Sequence, residues 1–349
     1  MSRYRVTVLG ASGYVGCELV RLLAQHPAVE LVGLGANRQA GQPISALFPQ
    51  LASLDLPPLE DSESLLAKEV DLVFCAVPHR TAQPLVRSLM AHQSPPKVID
   101  LSADFRLRDP AVYEAWYGVP QETRDLLAQA VYGIPELNRA NLKNARLVAV
   151  PGCYPTPAQL ALVPLVKAGL VKPESRIIID AKSGVTGAGR SAQERLLHAE
   201  VSENFSAYGI ASHRHIPEID QGLALFAGRS QPVTFTAHLL PMNRGILETI
   251  YIELADPTAN ADTIKTCWHK AYADEPFIQL VDAAPETRHV RGSNDCRLAA
   301  FDDRGSGQVV LIAVIDNLVK GAAGQAVQSM NILLDLPETT SLKTLPLAP

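Results

Sequence analysis

With 349 residues, 47% of them hydrophobic, the chain is long enough to bury a sizeable core and suits two domains. A net charge of −5 and 5% aromatic residues exclude a polybasic field for nucleic acid or anionic membrane and a base-stacking surface. Five scattered cysteines (Cys17, Cys75, Cys153, Cys267, Cys296) with no C-x-x-C pair exclude a zinc ribbon and fit a reducing compartment. The N-terminus enters a strand with no signal-peptide pattern, and no apolar run approaches a membrane span, so a cytoplasmic protein is expected.

Arg5 to Leu9 reads as a buried strand, followed by Gly10-Ala11-Ser12-Gly13-Tyr14-Val15-Gly16 and a helix from Val15 to Gln25. Strand, glycine loop and helix in that order are the context a dinucleotide fingerprint requires. The spacing is G-x-x-G-x-x-G, and close approach of backbone to a pyrophosphate at a helix N-terminus explains the glycines. Gly10, Ser12, Gly13, Tyr14, Val15 and Gly16 are therefore candidate cofactor contacts. A second strand, Glu30 to Ala36, ends in Asn37-Arg38 with no carboxylate for a ribose 2′-hydroxyl. A guanidinium matches a 2′-phosphate, so the cofactor predicted is NADP(H), with Asn37 and Arg38 at its ribose.

Val70 to Pro78 reads as another parallel strand, whose end at Pro78 faces the cofactor, and a helix is expected from His79 to about Ala91. Lys97 to Leu101 is a further strand. It leads into Ser102-Ala103-Asp104-Phe105-Arg106, where Arg106 is either a clamp for a carboxylate or phosphate or a partner of Asp104.

A short strand, Leu147 to Val150, precedes Pro151-Gly152-Cys153-Tyr154-Pro155-Thr156-Pro157 and a helical pattern from Ala158 to Lys167. Prolines suit a first helical turn. Cys153 thus sits on a strand-to-helix turn, where unpaired N–H groups and the helix dipole favour thiolate. Half-ionising an ordinary thiol of pKa ~8.5 at pH 7 takes about 2 kcal/mol, the top of a helix dipole's range. A cationic neighbour, most naturally a histidine, is therefore expected. The bland alternative is an inert buried cysteine.

Beyond Gly152 the strands lengthen and alternate: Arg176 to Ser183, Val233 to Leu240, Ile246 to Leu254 and Val309 to Ile315, with a helix from Asp262 to Ala273. This is the texture of a mixed or antiparallel sheet. Lys182 to Arg190 carries a glycine-rich loop suited to hold an anion, with Ser183 and Gly184 at its start as candidate cofactor contacts. His213-Arg214-His215-Ile216-Pro217-Glu218 gathers two imidazoles, a guanidinium and a carboxylate. In an extended segment His213 and His215 point the same way. Either serves as acid/base beside Cys153, with Glu218 fixing a ring's tautomer. Its rivals are a chelating H-x-H, which lacks further matching ligands so that no metal is expected, and a structural polar cluster. Asp316-Asn317-Leu318-Val319-Lys320-Gly321 leads a small-residue helix to about Leu334.

Gly10 to Gly16, Pro151 to Thr156, Ser183 to Gly189, His213 to Ile219 and Asp316 to Gly324 together resemble the N-acetyl-γ-glutamyl-phosphate reductases, over nearly the whole chain. The resemblance implies an α/β fold: a Rossmann dinucleotide-binding domain (1–150 plus 316–349) with an inserted α+β catalytic and dimerisation domain of mixed sheet (151–315). It implies a homodimer or homotetramer that reduces a small acyl phosphate with NADPH in arginine biosynthesis. Cys153 forms a thioester, with His213 the first choice for acid/base and His215 the alternative or a substrate ligand. Arg106, Ser183 and Lys320 are expected at substrate carboxylate or phosphate, and Asn317 near the nicotinamide. Aspartate-semialdehyde dehydrogenase, a reductase of longer or carrier-linked acyl phosphates, and an NADP-binding regulator without turnover are the competing readings.

Overall fold

A computed structural model describes residues 3–304 and 307–347. The chain divides into two compact units: Met1–Pro151 with Ala322–Lys343, and Gly152–Gly321 with Thr344–Pro349.

The first unit is built on β1 (Tyr4–Leu9), β2 (Val29–Gly35), β3 (Leu59–Glu60), β4 (Leu72–Cys75), β5 (Lys97–Asp100), β6 (Val131–Tyr132) and β7 (Leu147–Ala149). They form one sheet in the order β3-β2-β1-β4-β5-β7-β6, every pair parallel. β4 is fully buried, Leu72-Val73-Phe74-Cys75, as a strand covered on both faces must be. Strand order reverses between β1 and β4, and the loops leaving their carboxyl ends frame the crevice where such sheets bind ligands. The Gly324–Leu333 helix, buried along its whole length, belongs to this unit, and Asn331 Oδ1 lies 3.0 Å from His26 Nε2.

One local expectation changes. The helix after β4 starts at Ala82, not His79. Residues 79–81 form a turn, with Arg80 at φ 74°, and Asp104 caps the helix by accepting N–H from Arg80 (2.7 Å) and Ala82 (2.9 Å). Arg106 is buried and donates to the Leu101 carbonyl at 2.9 Å, inside the same polar turn.

The second unit carries β8 (Ile177–Gly184), β9 (Ser206–Tyr208), β10 (Val233–Leu240), β11 (Ile246–Glu253), β12 (Ile278–Leu280), β13 (Cys296–Asp302) and β14 (Gln308–Ile315). The sheet, ordered β12-β13-β14-β11-β8-β10-β9, is mixed. On β8 the period of two is plain: Ile177, Ile179 and Ala181 are buried, whereas Ile178 on the other face is 44% exposed. The inner face is covered by the Pro155–Lys167 and Ala261–Tyr272 helices. Pro164 lacks the N–H that would bond the Leu160 carbonyl. Tyr272 Oη donates to that carbonyl instead at 2.6 Å, and Trp268 Nε1 donates to Ala161 O at 2.9 Å. A helix break is thus turned into a helix–helix tie.

Candidate active site

In the first unit the glycines answer different needs. Gly10 has φ +84°, and a Cβ there would stand 2.2 Å from the Ala76 carbonyl beyond β4. A Cβ on Gly16 would stand 2.2 Å from the Gly10 carbonyl. These two let loop and helix pack. Gly13 is the N-cap of the Tyr14–Leu23 helix; a Cβ there would meet only the Gly10 carbonyl, at 3.6 Å, so its outer side stays open to a ligand. No acidic residue occupies that helix's first turn, so its dipole is left for an anion. This is a backbone cradle that a dinucleotide pyrophosphate fits. Arg38 is exposed in a 3-10 turn after β2. Asn37 spends its Oδ1 on Ser62, accepting from both N–H and Oγ at 2.9 Å. Pro78 lies at the end of the loop leaving β4, and its carbonyl accepts from Thr81 Oγ1 at 2.6 Å.

In the second unit, Cys153 is half-buried on the turn before the Pro155–Lys167 helix. Cys17, Cys75 and Cys296 are buried, and burial together with Asp100 and Asp104 pushes the Cys75 thiol far up. Gly152, just before the thiol, is held on both sides. Its N–H donates to Glu218 Oε1 at 2.7 Å, and its carbonyl accepts from Thr156 N–H (3.1 Å) and Oγ1 (2.9 Å). A Cβ on Gly152 would lie 2.6 Å from His215 Nε2, so the bare glycine is what seats that ring. Pro155 and Pro157 have no N–H. The Thr156 N–H is spent on the Gly152 carbonyl, so this helix start offers fewer donors than an ordinary first turn.

His213 and His215 do not lie in an extended segment. They occupy the turn opening the Ile216–Ala227 helix, with His215 at the N-cap (φ −85°, ψ −9°). A tight turn still brings the rings to 4.9 Å between centroids. His213 sits among Tyr154 (5.4 Å), Tyr208 (5.5 Å) and Phe235 (5.2 Å). Tyr154 and Tyr208 join hydroxyls at 2.9 Å. Burial pushes both phenols up, Tyr208 to about 12, so both stay protonated.

The expected cation is absent from His213. Burial, then the Arg214 guanidinium, pushes its pKa down to about 4. Its Nδ1 accepts the His215 N–H at 3.2 Å, so the neutral ring carries its proton on Nε2. An imidazole held neutral by burial is a hydrogen-bond donor rather than an imidazolium.

Other expected residues have structural engagements. Asn317 Oδ1 accepts Gly245 N–H at 2.8 Å and its Nδ2 donates to Thr186 Oγ1 at 3.0 Å, bracing the loop after Gly184. Lys320 is fully buried, its Nζ 5.8 Å from the centroid of Phe277. Ser183 is buried and donates to the Gly184 carbonyl at 3.0 Å, while a Cβ on Gly184 would meet the Asn243 carbonyl at 2.6 Å. Tyr208 was missed: no pattern around it separates it from a surface loop residue.

Residues 5–145 match the semialdehyde dehydrogenase NAD binding domain, and residues 153–317 match the semialdehyde dehydrogenase dimerisation domain. A protein of Rhodospirillum rubrum called N-acetyl-gamma-glutamyl-phosphate reductase is 54% identical over 99% of both chains. One of Arabidopsis thaliana, called a probable chloroplastic N-acetyl-gamma-glutamyl-phosphate reductase, is 49% identical over 99% of this chain and 85% of its own. The chain belongs to the N-acetyl-γ-glutamyl-phosphate reductase family. Its fold is that of the crystal structure of aspartate semialdehyde dehydrogenase II from Vibrio cholerae, which covers 96% of this chain and 99% of its own at TM-score 0.71 and 18% identity. As a member of the N-acetyl-γ-glutamyl-phosphate reductase family it is an oxidoreductase with a nicotinamide-cofactor domain, and Cys153 is the first residue of its matched dimerisation domain. Among the described residues no helix is long and apolar enough to cross a membrane.

Proposed function

We propose that this protein reduces N-acetyl-γ-glutamyl phosphate to N-acetylglutamate 5-semialdehyde and phosphate with NADPH, through a thioester on Cys153. The observation that carries the reading is the clamped Gly152-Cys153 turn beside His213, in a chain 54% identical end to end to a reductase of that name.

The Cys153 thiolate attacks the acyl carbon, a C–S bond forms, the acyl–phosphate C–O bond breaks with its electron pair passing to oxygen, and inorganic phosphate leaves. Covalent capture splits one hard displacement into two easier ones. Bound NADPH supplies the hydride that converts the thioester to a thiohemiacetal. Each addition places negative charge on the former carbonyl oxygen. The N–H groups of Cys153 and Tyr154 and the Nε2–H of His213 are the donors assigned to it, and one such donor is typically worth ~10²–10³ in rate. When the C–S bond breaks, the thiolate departs and the aldehyde is released. Glu218 holds the turn through Gly152, and His215 packs on the same glycine.

The glycine loop Gly10–Gly16 would hold the pyrophosphate and Arg38 the 2′-phosphate. A charge-assisted contact of this kind is worth about 1.5–3 kcal/mol. Arg38→Ser should raise the KM for NADPH by roughly tenfold or more, with the KM for NADH little changed. Equal effects on both cofactors would remove Arg38 from the 2′-phosphate.

A homodimer is proposed through the outer face of β8 and β11, where Ile178 is 44% and Tyr251 39% exposed within the matched dimerisation domain. Among the described residues no cysteine is in a disulfide, which fits a reducing compartment, the cytoplasm.

The reverse reaction tests the whole reading. Oxidation of N-acetylglutamate 5-semialdehyde by NADP should depend on inorganic phosphate and exceed oxidation of aspartate semialdehyde. Preference for the aspartate compound would move the substrate assignment, and absence of phosphate dependence would end the acyl-phosphate reading.

A further inference from the structure

Directly before the Gly324–Leu333 helix, residues Val319–Ala323 form a π-helical turn. Gly321 N–H donates to the Asp316 carbonyl at 2.9 Å, the i→i−5 bond of such a turn. Asp316 is completely buried, and its carboxylate fixes the turn's start. Oδ1 accepts N–H from Leu318 (2.8 Å) and Val319 (3.2 Å), and Oδ2 accepts from Gly292 (2.7 Å), with Arg244 at 3.6 Å. Regular α-helical bonding would drop one residue from the turn and change its facing by roughly 100°.

What the π turn turns inward is Gly321. A Cβ there would lie 3.0 Å from Cys153 Cβ, 3.3 Å from Cys153 Cα and 3.2 Å from Ile315 Cδ1. Gly321 is not among the positive-φ glycines, so its backbone tolerates a side chain. Space rather than φ calls for glycine here, since Cys153 and Ile315 both crowd the position. π-helical turns cost backbone hydrogen-bond geometry and recur at functional sites.

We propose that Gly321, held by the Asp316 π turn, is a positioning residue for Cys153. Its bare Cα is the wall against which the Cα–Cβ bond of the cysteine rests, and that contact sets the direction of Sγ. The proposal rests on Cys153 being the nucleophile, and alkylation of the thiol, which needs no substrate, lets the two be judged apart.

The test compares Gly321→Ala with the parent in the full-length protein. It reads kcat and KM, NADPH affinity by fluorescence, thermal unfolding, and the pH profile of iodoacetamide alkylation at Cys153 by peptide mass spectrometry. The expected result is a kcat lower by roughly ten- to hundredfold, an unchanged NADPH affinity and a displaced alkylation profile. Gly321→Ala/Ile315→Val frees the Ile315 contact and should keep the defect. Should the alanine variant fail to fold, Asp316→Asn carries the same measurements with the same expectation. A folded Gly321→Ala with parental kcat and alkylation profile overturns the proposal, as does full restoration by Ile315→Val. An altered alkylation profile with activity surviving in Cys153→Ser would instead sink the nucleophile and leave the contact standing.

Discussion

Cys153→Ser should lower the rate of semialdehyde formation on the order of 10⁴-fold or more, while NADPH binds as before. The size follows from what the thiol does. A serine hydroxyl at the same place is almost wholly protonated at pH 7, and an alkoxide leaves far less readily than a thiolate when the aldehyde is released. The fold should not suffer, because one sulfur becomes one oxygen on a half-buried turn whose hydrogen bonds run through Gly152, Glu218 and Thr156. No other thiol takes over. Cys17, Cys75 and Cys296 are buried, and burial pushes the Cys267 thiol up. Steady-state rates with equilibrium NADPH titration check this; residual activity above a hundredth of the parent would place the nucleophile elsewhere.

The second large effect belongs to His213. His213→Ala should cost ~10²–10³ in kcat, because it removes the Nε2–H donor from the oxyanion. His213→Gln, whose amide nitrogen reaches the position of Nε2, should recover part of that loss. A cationic role would be lost equally in both variants, so equal rates for Ala and Gln would return His213 to the imidazolium reading. The pH dependence separates the two as well. With its pKa pushed to about 4, the ring does not titrate between pH 5 and 8. Any acid limb of kcat/KM owed to this imidazole should fall well below pH 6.5. Stability follows the same sign. The folded value lies below the unfolded one, so the unfolded chain binds the extra proton between roughly 6.5 and 4. Stability attributable to His213 is therefore present above pH 6.5 and lost as the pH falls through that window.

Much of this site was legible because it is written in local chemistry. Val233 to Leu239 alternates apolar with polar, and Val233–Leu240 is a strand. The order of strand, glycines and helix at Gly10 marked the crevice beside β4, and Pro155 after Cys153 marked a helix start. What was not legible depends on long-range contact. His213 and His215 look like an extended pair. They are a turn because Pro217 starts, and Gly228 at φ 78° ends, a helix that the two histidines preceded unnoticed. Glu218 looks like a ring's partner, and the Gly152 N–H that it holds lies 66 residues away. The neutral state of His213 comes from burial among Tyr154, Tyr208 and Phe235 and from Arg214 beside it, and Tyr208 sits in a segment whose composition announces nothing. Gly321 stood in a recognised motif, yet only coordinates show that its hydrogen atom faces Cys153.

The thioester is the claim to which everything else is tied. The full-length protein should be mixed with N-acetyl-γ-glutamyl phosphate in the absence of NADPH, quenched in acid and analysed by peptide mass spectrometry. A single N-acetylglutamyl adduct on the Cys153 peptide, discharged when NADPH is added before the quench, is the predicted result. An adduct on another residue, or one on Cys153 that NADPH does not discharge, would contradict it.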